Sequence, residues 1–246
     1  MVDDYPASER PALPIVGREL LALAASGLLY PFGLRKSATR TRRLREQRTV
    51  VLVHGYLANR SCFLPLRAYL RARGVKQILS YDYPGAAGIE QAALGLREFL
   101  RRNVRGGRID LVCHSLGGLV ARSYLQELGG ARRVDRCITL GTPHRGTYNA
   151  YWVVSRVGRE LRPDSALLAR LEASRAGAAG VRFSSIVGGS DNIILPRIFA
   201  AGHDAGEGDT VRVGELGHLG LLFSPKVFGA VANLLLADAA PRPAAT

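Results

Sequence analysis

From Thr49 onward, short apolar runs and longer amphipathic stretches take turns along the chain. Val50 to Val53 is a run of strand length, rich in β-branched residues, that ends in His54-Gly55-Tyr56. Cys62 to Arg73 alternates apolar and basic residues at helical spacing, and Gln77 to Tyr83 reads as the next strand. Gly88 to Asn103 is amphipathic, with Ile89, Ala92, Ala93, Leu96, Phe99 and Leu100 facing inward. Ile109 to Cys113 is a strand, and a helix pattern follows it at Leu119, Val120, Ser123, Tyr124 and Leu125. Val134 to Leu140, Arg182 to Val187 and Thr210 to Val213 supply further strands, and Lys226 to Leu236 a closing helix. Strands separated by helices at this rhythm predict an α/β fold, with a mostly parallel central sheet of about six strands and helices on both faces. No internal repeat or low-complexity block interrupts it.

Three stretches depart from the rhythm. Between Gly141 and Gly180 lie about 40 residues where a short connection would suffice. An ordinary crossover helix with an extra turn is one reading of them. The other is a small helical cap over about 146–178, whose Tyr148, Tyr151 and Trp152 cover an apolar pocket. Its position at the C-terminal end of a strand, where α/β ligands bind, supports the cap. Residues 1–47 form the second departure: a proline-bearing polar start, an apolar helix over Ile15 to Leu34, and a basic linker. Residues 239–246 are an Ala/Pro tail expected to be flexible, which leaves 48–238 as the main domain.

Composition narrows the class. At 246 residues with 47% hydrophobic content, the chain suits one large α/β domain and not disorder. The net charge of +14 rests almost wholly on arginine, since Lys36, Lys76 and Lys226 are the lysines. Such a surface attracts nucleic acid, anionic lipid or acidic partners without choosing among them. Arg35, Lys36, Arg40, Arg42, Arg43, Arg45 and Arg48, opposed by Glu46, follow the apolar helix directly. An apolar helix beside a cationic run can lie at an anionic membrane surface, so residues 15–48 are a candidate membrane contact; a helix packed on the domain and a solvated linker is the alternative. The fully apolar part is short against the roughly 20 residues that a membrane span needs. Asp3, Asp4 and Glu9 give the wrong charge for a signal-peptide start, which favours a cytoplasmic or peripheral membrane location over secretion. The basic run holds no aromatic residue for base stacking, so no nucleic-acid partner is expected. Cys62, Cys113 and Cys137 imply neither a disulfide framework nor a zinc site, and no metal ligands are assigned.

The chemistry concentrates in Cys113-His114-Ser115-Leu116-Gly117-Gly118, a serine between a strand and a helix with small residues two before and two after it. That is the pattern of a nucleophile elbow, in which the turn is too tight for larger flanking side chains. The usual glycine at the first small position is here Cys113. Serine needs a base to take its proton, and the base needs an acid to orient it. In chain order the acid should come next and the histidine last. Asp191, in Gly188-Gly189-Ser190-Asp191-Asn192, and His218, before the closing helix, fit that order. Each falls in a loop leaving the C-terminal edge of the sheet. His203, beside Asp204, Glu207 and Asp209, is the weaker rival base; His144 precedes both acids and instead lines the cleft or fixes a loop. The backbone N–H groups of Tyr56 and Leu116 are the expected oxyanion donors, with Gly55 allowing close approach. His114, beside the nucleophile, is expected to be structural or to border the substrate with Gly55, His144 and Trp152.

On His54-Gly55-Tyr56, His114-Ser115-Leu116-Gly117-Gly118, Leu140-Gly141-Thr142-Pro143-His144-Arg145-Gly146-Thr147, Asp191 and His218, the chain resembles the α/β-hydrolase fold lipases and esterases. It is most similar to bacterial triacylglycerol lipases and GPI inositol-deacylase-like esterases, over about residues 48–238. The resemblance implies Ser115 as nucleophile, His218 as base, Asp191 as orienter, and Tyr56 and Leu116 as the oxyanion hole, with no organic cofactor. It implies an acyl-enzyme mechanism on acyl esters, those of lipids foremost. A thioesterase, phospholipase or acyltransferase would use the same three residues, and a catalytically silent membrane scaffold would keep the fold without the chemistry.

Overall fold

The strand-like runs pair side by side into one sheet. The computed structural model describes residues 13–34, 48–85, 87–196 and 209–237. Among these the strands are β1 (Thr49–Val53), β2 (Ile78–Tyr81), β3 (Ile109–His114), β4 (Val134–Leu140), β5 (Arg182–Gly188) and β6 (Asp209–Val213). They lie in the order β2-β1-β3-β4-β5-β6, and every neighbouring pair is parallel. The basic run of 35–47, the loop holding His203, Asp204 and Glu207, and the tail from 239 lie outside the described residues.

Burial on both faces explains the near-continuous apolar runs. Successive residues of β1 and β3 point to opposite sides: Val51, Val53, Leu111 and Cys113 join one core, while Val50, Leu52 and Val112 join the other. The first core is completed by α3 (Ile89–Asn103), α4 (Leu116–Glu127), α5 (Arg156–Glu160) and α6 (Ala166–Ala173), and the second by α2 (Leu64–Ala72) and α7 (Pro225–Leu236). Strand β2 is shorter than the run from Gln77 to Tyr83, and the helix expected from Cys62 is preceded by a 3-10 turn, Arg60–Phe63, capped by Asn59. Because β1 leads to β2 on one side and β3 lies on its other side, the connections diverge above β1 and β3. That divergence opens a crevice at the carboxyl ends of these strands.

The long insertion divides in two. Its helices belong to the main layers: Val157, Leu167, Leu168 and Leu171 are buried with Leu119 and Val120 of α4. Arg170 pairs with Glu127 of α4 and Glu90 of α3, each at 2.7 Å, and Glu160 accepts the Ile89 N–H at 2.8 Å. Before these helices comes the 3-10 turn Tyr148–Trp152, whose aromatic rings are exposed.

Before the sheet stands α1 (Leu13–Leu34). It is longer than its apolar centre, because Arg18 and Glu19 at one end and Pro31 and Gly33 at the other are also helical. Pro14–Leu34 therefore reaches the length and composition that could cross a membrane, where the sequence pattern suggested a segment too short. Ile15 and Ala22 are buried, while Leu20, Leu21, Leu23, Leu28, Phe32 and Leu34 face outward.

Charge closes the amino end of the sheet. Asp110, fully buried in β3, accepts hydrogen bonds from Arg48 at 2.7 and 3.0 Å and from Arg136 at 3.4 Å. Arg48 also pairs with Asp135 at 3.0 Å, so it ties the start of the domain to β3 and β4. Burial raises the Asp110 carboxyl pKa, against the pull of both arginines. Removing the aspartate would leave two guanidinium groups facing an apolar strand. Asp110→Ala should therefore lower unfolding free energy by about 3 kcal/mol or more, measured by chemical denaturation.

Candidate active site

Ser115 sits at the junction of β3 and α4 with φ 53° and ψ −123°, a backbone conformation that non-glycine residues seldom adopt. Hydrogen bonds hold it there. Its N–H donates to the Leu140 carbonyl of β4 at 2.9 Å, and its carbonyl accepts from Gly118 N–H at 3.0 Å and Thr142 Oγ1 at 2.9 Å. Gly117 is required by space: a Cβ there would lie 2.4 Å from the Val53 carbonyl oxygen and 2.6 Å from that of His54. Cys113, the departure from the usual glycine, is wholly buried and packs within the first core.

The candidate acid and base come from two further loops. Asp191 follows β5, and its Oδ1 accepts the N–H groups of Ile193 (2.9 Å) and Ile194 (3.1 Å). The other oxygen, Oδ2, lies 2.7 Å from His218 Nδ1. Both residues are buried. Burial alone would disfavour both charged forms, but their mutual attraction and hydrogen bond win. The Asp191 pKa lies below its ordinary value and that of His218 above 6.5, with Glu19 also helping to raise the latter. Nδ1 is committed to the carboxylate, which leaves Nε2 as the nitrogen free to receive a proton. Gly141 makes room for this pair over β4. Its φ is 54°, and a Cβ would approach Leu221 Cδ1 at 2.9 Å, His218 Nδ1 at 3.2 Å and Asp191 Oδ2 at 3.3 Å.

His114 ties the base to the elbow. Its ring packs on that of His218 with centroids 4.8 Å apart, and its Nε2–H donates to the His218 carbonyl at 3.2 Å. Burial, followed by the charge of His218, pushes its pKa down to about 3, so it stays neutral. His114 thus braces the base from behind. His144 is buried, with Nε2 3.0 Å from Thr139 Oγ1 and its carbonyl accepting Arg122 Nη1 at 2.7 Å. These contacts tie the loop after β4 to Thr139 and to Arg122 of α4. Trp152 is 87% exposed, so contact between its ring and a substrate would be made at the surface.

The oxyanion candidates lie on facing loops. Leu116 opens α4, where its N–H has no acceptor within the helix. Tyr56 follows β1, and a Cβ on the preceding Gly55 would come within 3.0 Å of Ser115 Cβ, so the two loops touch. His54 holds that loop through a network: Nδ1 lies 2.9 Å from the Gly55 carbonyl, Nε2 accepts Tyr83 N–H at 3.3 Å, and the ring stacks on Tyr83 at 4.4 Å. These contacts fix the Nδ1–H tautomer, and burial lowers the pKa of His54. Among the described residues, no group of three or more His, Cys, Asp or Glu side chains could hold a metal ion.

Sequence reasoning missed two contributors. Arg122 is buried in α4 and reaches the His144 and Leu171 carbonyls, with its pKa lowered to about 10 by burial. An arginine among the inward positions of a helix was the available signal. Glu19 of α1 accepts the N–H groups of Leu219 (2.9 Å) and Gly220 (2.7 Å), next to the candidate base. No local pattern links residues so far apart.

The model of a family described as the alpha/beta hydrolase family matches residues 50–238. Among solved structures, lipase BlEst2 of Bacillus licheniformis in its mature form superposes with a TM-score of 0.65 at 16% identity, covering 76% of this chain and 91% of that one. A gene product of Listeria innocua gives 0.62 at 15% identity, with 80% and 97% covered. A thermophilic esterase from Thermogutta terrifontis gives 0.54 at 18% identity, with 78% and 90% covered. At these identities the likeness is one of fold.

The Gly141 geometry yields a structural expectation. Gly141→Ala combines a left-handed backbone with a crowded Cβ, and should cost roughly 1–3 kcal/mol. It should also lengthen the Asp191–His218 hydrogen bond, seen as an upfield move of the His218 Nδ1 proton resonance; an unmoved resonance would count against it.

Proposed function

The chain belongs to the alpha/beta hydrolase family, and on that premise we propose that it cleaves acyl esters, with Ser115 as nucleophile, His218 as general base and Asp191 as the group that orients and charges the base. The observation that carries this reading is the 2.7 Å contact of Asp191 Oδ2 with His218 Nδ1, beside His114, the residue that precedes the strained Ser115 and packs on the His218 ring. In the first step Ser115 Oγ attacks the ester carbonyl carbon while its proton passes to His218 Nε2. The carbonyl oxygen becomes an oxyanion, for which the N–H groups of Tyr56 and Leu116 are the donors. Collapse breaks the ester C–O bond, and His218 returns the proton to the leaving alcohol. Water then attacks the acyl-serine, giving its proton to His218, and the acid leaves with Ser115 restored.

A lipid acyl ester is the substrate class that the surroundings favour. The turn with Tyr148, Tyr151 and Trp152 is tied to the Asp191 loop: Tyr148 N–H donates to the Leu195 carbonyl at 2.9 Å, and Asn149 Nδ2 to the Asn192 and Ile193 carbonyls. Exposed Val154, Ile193 and Leu195 extend this apolar border. On the other side, α1 carries its outward leucines past the His218 loop. Apolar groups exposed in this way suit a substrate held in a lipid surface.

Three outcomes follow. Ser115→Ala and His218→Ala should each lower kcat on p-nitrophenyl esters by at least about a thousandfold while unfolding normally, and Ser115→Ala should lose labelling by a fluorophosphonate probe; labelling that persists would sink the reading. Only neutral His218 can act as base, and its pKa is raised, so kcat/KM should fall as pH drops through a midpoint above 6.5. An acid limb centred near pH 5 would contradict the assigned pair. Finally, Leu28→Asp with Phe32→Asp should weaken binding to anionic vesicles while leaving hydrolysis of a soluble short-chain ester intact; unchanged vesicle binding would remove α1 from the lipid contact.

A further inference from the structure

Glu19, next to Arg18 where the apolar run of α1 begins, is spent on the loop that carries the candidate base. Its Oε2 accepts Leu219 N–H at 2.9 Å and its Oε1 accepts Gly220 N–H at 2.7 Å, the two amides that directly follow His218. The loop is shaped to receive it. A Cβ at Gly217 would lie 2.3 Å from Glu19 Cδ, and one at Gly220 would lie 2.9 Å from Oε1. Neither glycine has the positive φ that would call for glycine on conformational grounds, so space for the carboxyl group is what they provide. We propose that Glu19 is a positioning residue for His218, which makes the amino-terminal helix a working part of the active site. The proposal rests on the triad reading above.

Physically, the His218 loop is held from three sides. Asp191 takes the ring nitrogen, His114 takes the main-chain carbonyl, and Glu19 takes the two amides beyond it. The ion pair from α1 to this loop, Arg18 to Glu215 at 3.8 Å, joins exposed groups and contributes little. Without Glu19, two adjacent N–H groups would have to turn toward water, and the loop with them. A base displaced by about 1 Å can cost up to a hundredfold in rate. The carboxyl group also acts through space. The titratable and charged groups around His218 are Asp191, His114 and Glu19, with Arg18, Glu215 and Lys226 lining a groove beside α1. Of these, Asp191 and then Glu19 favour the imidazolium that forms as Ser115 gives up its proton.

The test uses the full chain and short-chain ester hydrolysis. Glu19→Gln keeps the size but loses charge and one acceptor, since its NH2 would face an N–H donor. It should lower kcat roughly tenfold to a hundredfold with KM within about twofold, and shift the acid limb of kcat/KM to lower pH. Glu19→Asp should keep the acid limb in place while recovering only part of kcat, because the shorter side chain reaches one amide at best. Gly220→Ala, whose Cβ would press on Oε1 and displace the carboxyl group with Glu19 itself unchanged, should reproduce the loss of kcat seen in Glu19→Gln and guards against a variant that fails to fold. Arg18→Ala serves as the neutral control. Wild-type kcat in Glu19→Gln and Gly220→Ala, or a loss of kcat with the acid limb unmoved, would overturn the proposal. Ser115→Ala separates this outcome from failure of the underlying reading: labelling lost in that variant with Glu19→Gln unaffected refutes the positioning role alone.

Discussion

A serine at φ 53° and ψ −123° persists only where its surroundings leave it no alternative, and most of this structure's local choices trace to that constraint. The strain is of order 1–3 kcal/mol, small against the burial of the two cores that flank the sheet. What turns this reserve into a fixed geometry is the pair of neighbouring strands. Strand β4 supplies the carbonyl that binds Ser115 N–H, and β1 supplies the carbonyl oxygens against which Gly117 must fit. The glycines at 55, 117 and 141 then stand where loops from β1, β3 and β4 come within contact of one another. A parallel sheet makes this possible because it gathers the carboxyl ends of all its strands on one edge.

Two buried pairs of opposite charge stand at the two ends of that sheet. At the amino end, Asp110 is neutralised by Arg48 and Arg136, which locks the first residue of the domain to β3 and β4. At the carboxyl end, Asp191 and His218 form the second buried pair, and the N–H groups of Ile193 and Ile194 satisfy the carboxylate's other oxygen. The two pairs differ in kind. Arginine stays charged across the accessible pH range, so the first pair is a fastening. The histidine of the second pair can exchange a proton near neutrality, which is what a general base requires.

The amino-terminal helix complicates a division into an appendage and a domain. Its apolar surface is largely unused by the chain itself, yet Glu19, Ile15 and Ala22 are engaged. A span across a membrane would strip Glu19 from its two amides and leave a carboxyl group in hydrocarbon, which is costly. The contacts present favour a helix lying along the domain with one face turned outward.

Much of this was legible in the residues. The alternation of strand and helix, the two-sided burial of the strands, the elbow around Ser115, and the loop positions of Asp191 and His218 after their strands all follow from local pattern. Periodicity reports which residues share a face, and turn chemistry reports where a chain must bend. Neither carries information about which loops meet. That the insertion's helices would pack on α4 depended on Leu167, Leu168 and Leu171 finding the same core as Leu119. That His114 packs on His218 and that Glu19 reaches Leu219 were decided by the order β2-β1-β3-β4-β5-β6 and the layers around it. The physical reason is separation: contacts made two to four residues apart leave a repeating mark in the sequence, whereas a carboxyl group meeting an amide 200 residues away leaves none.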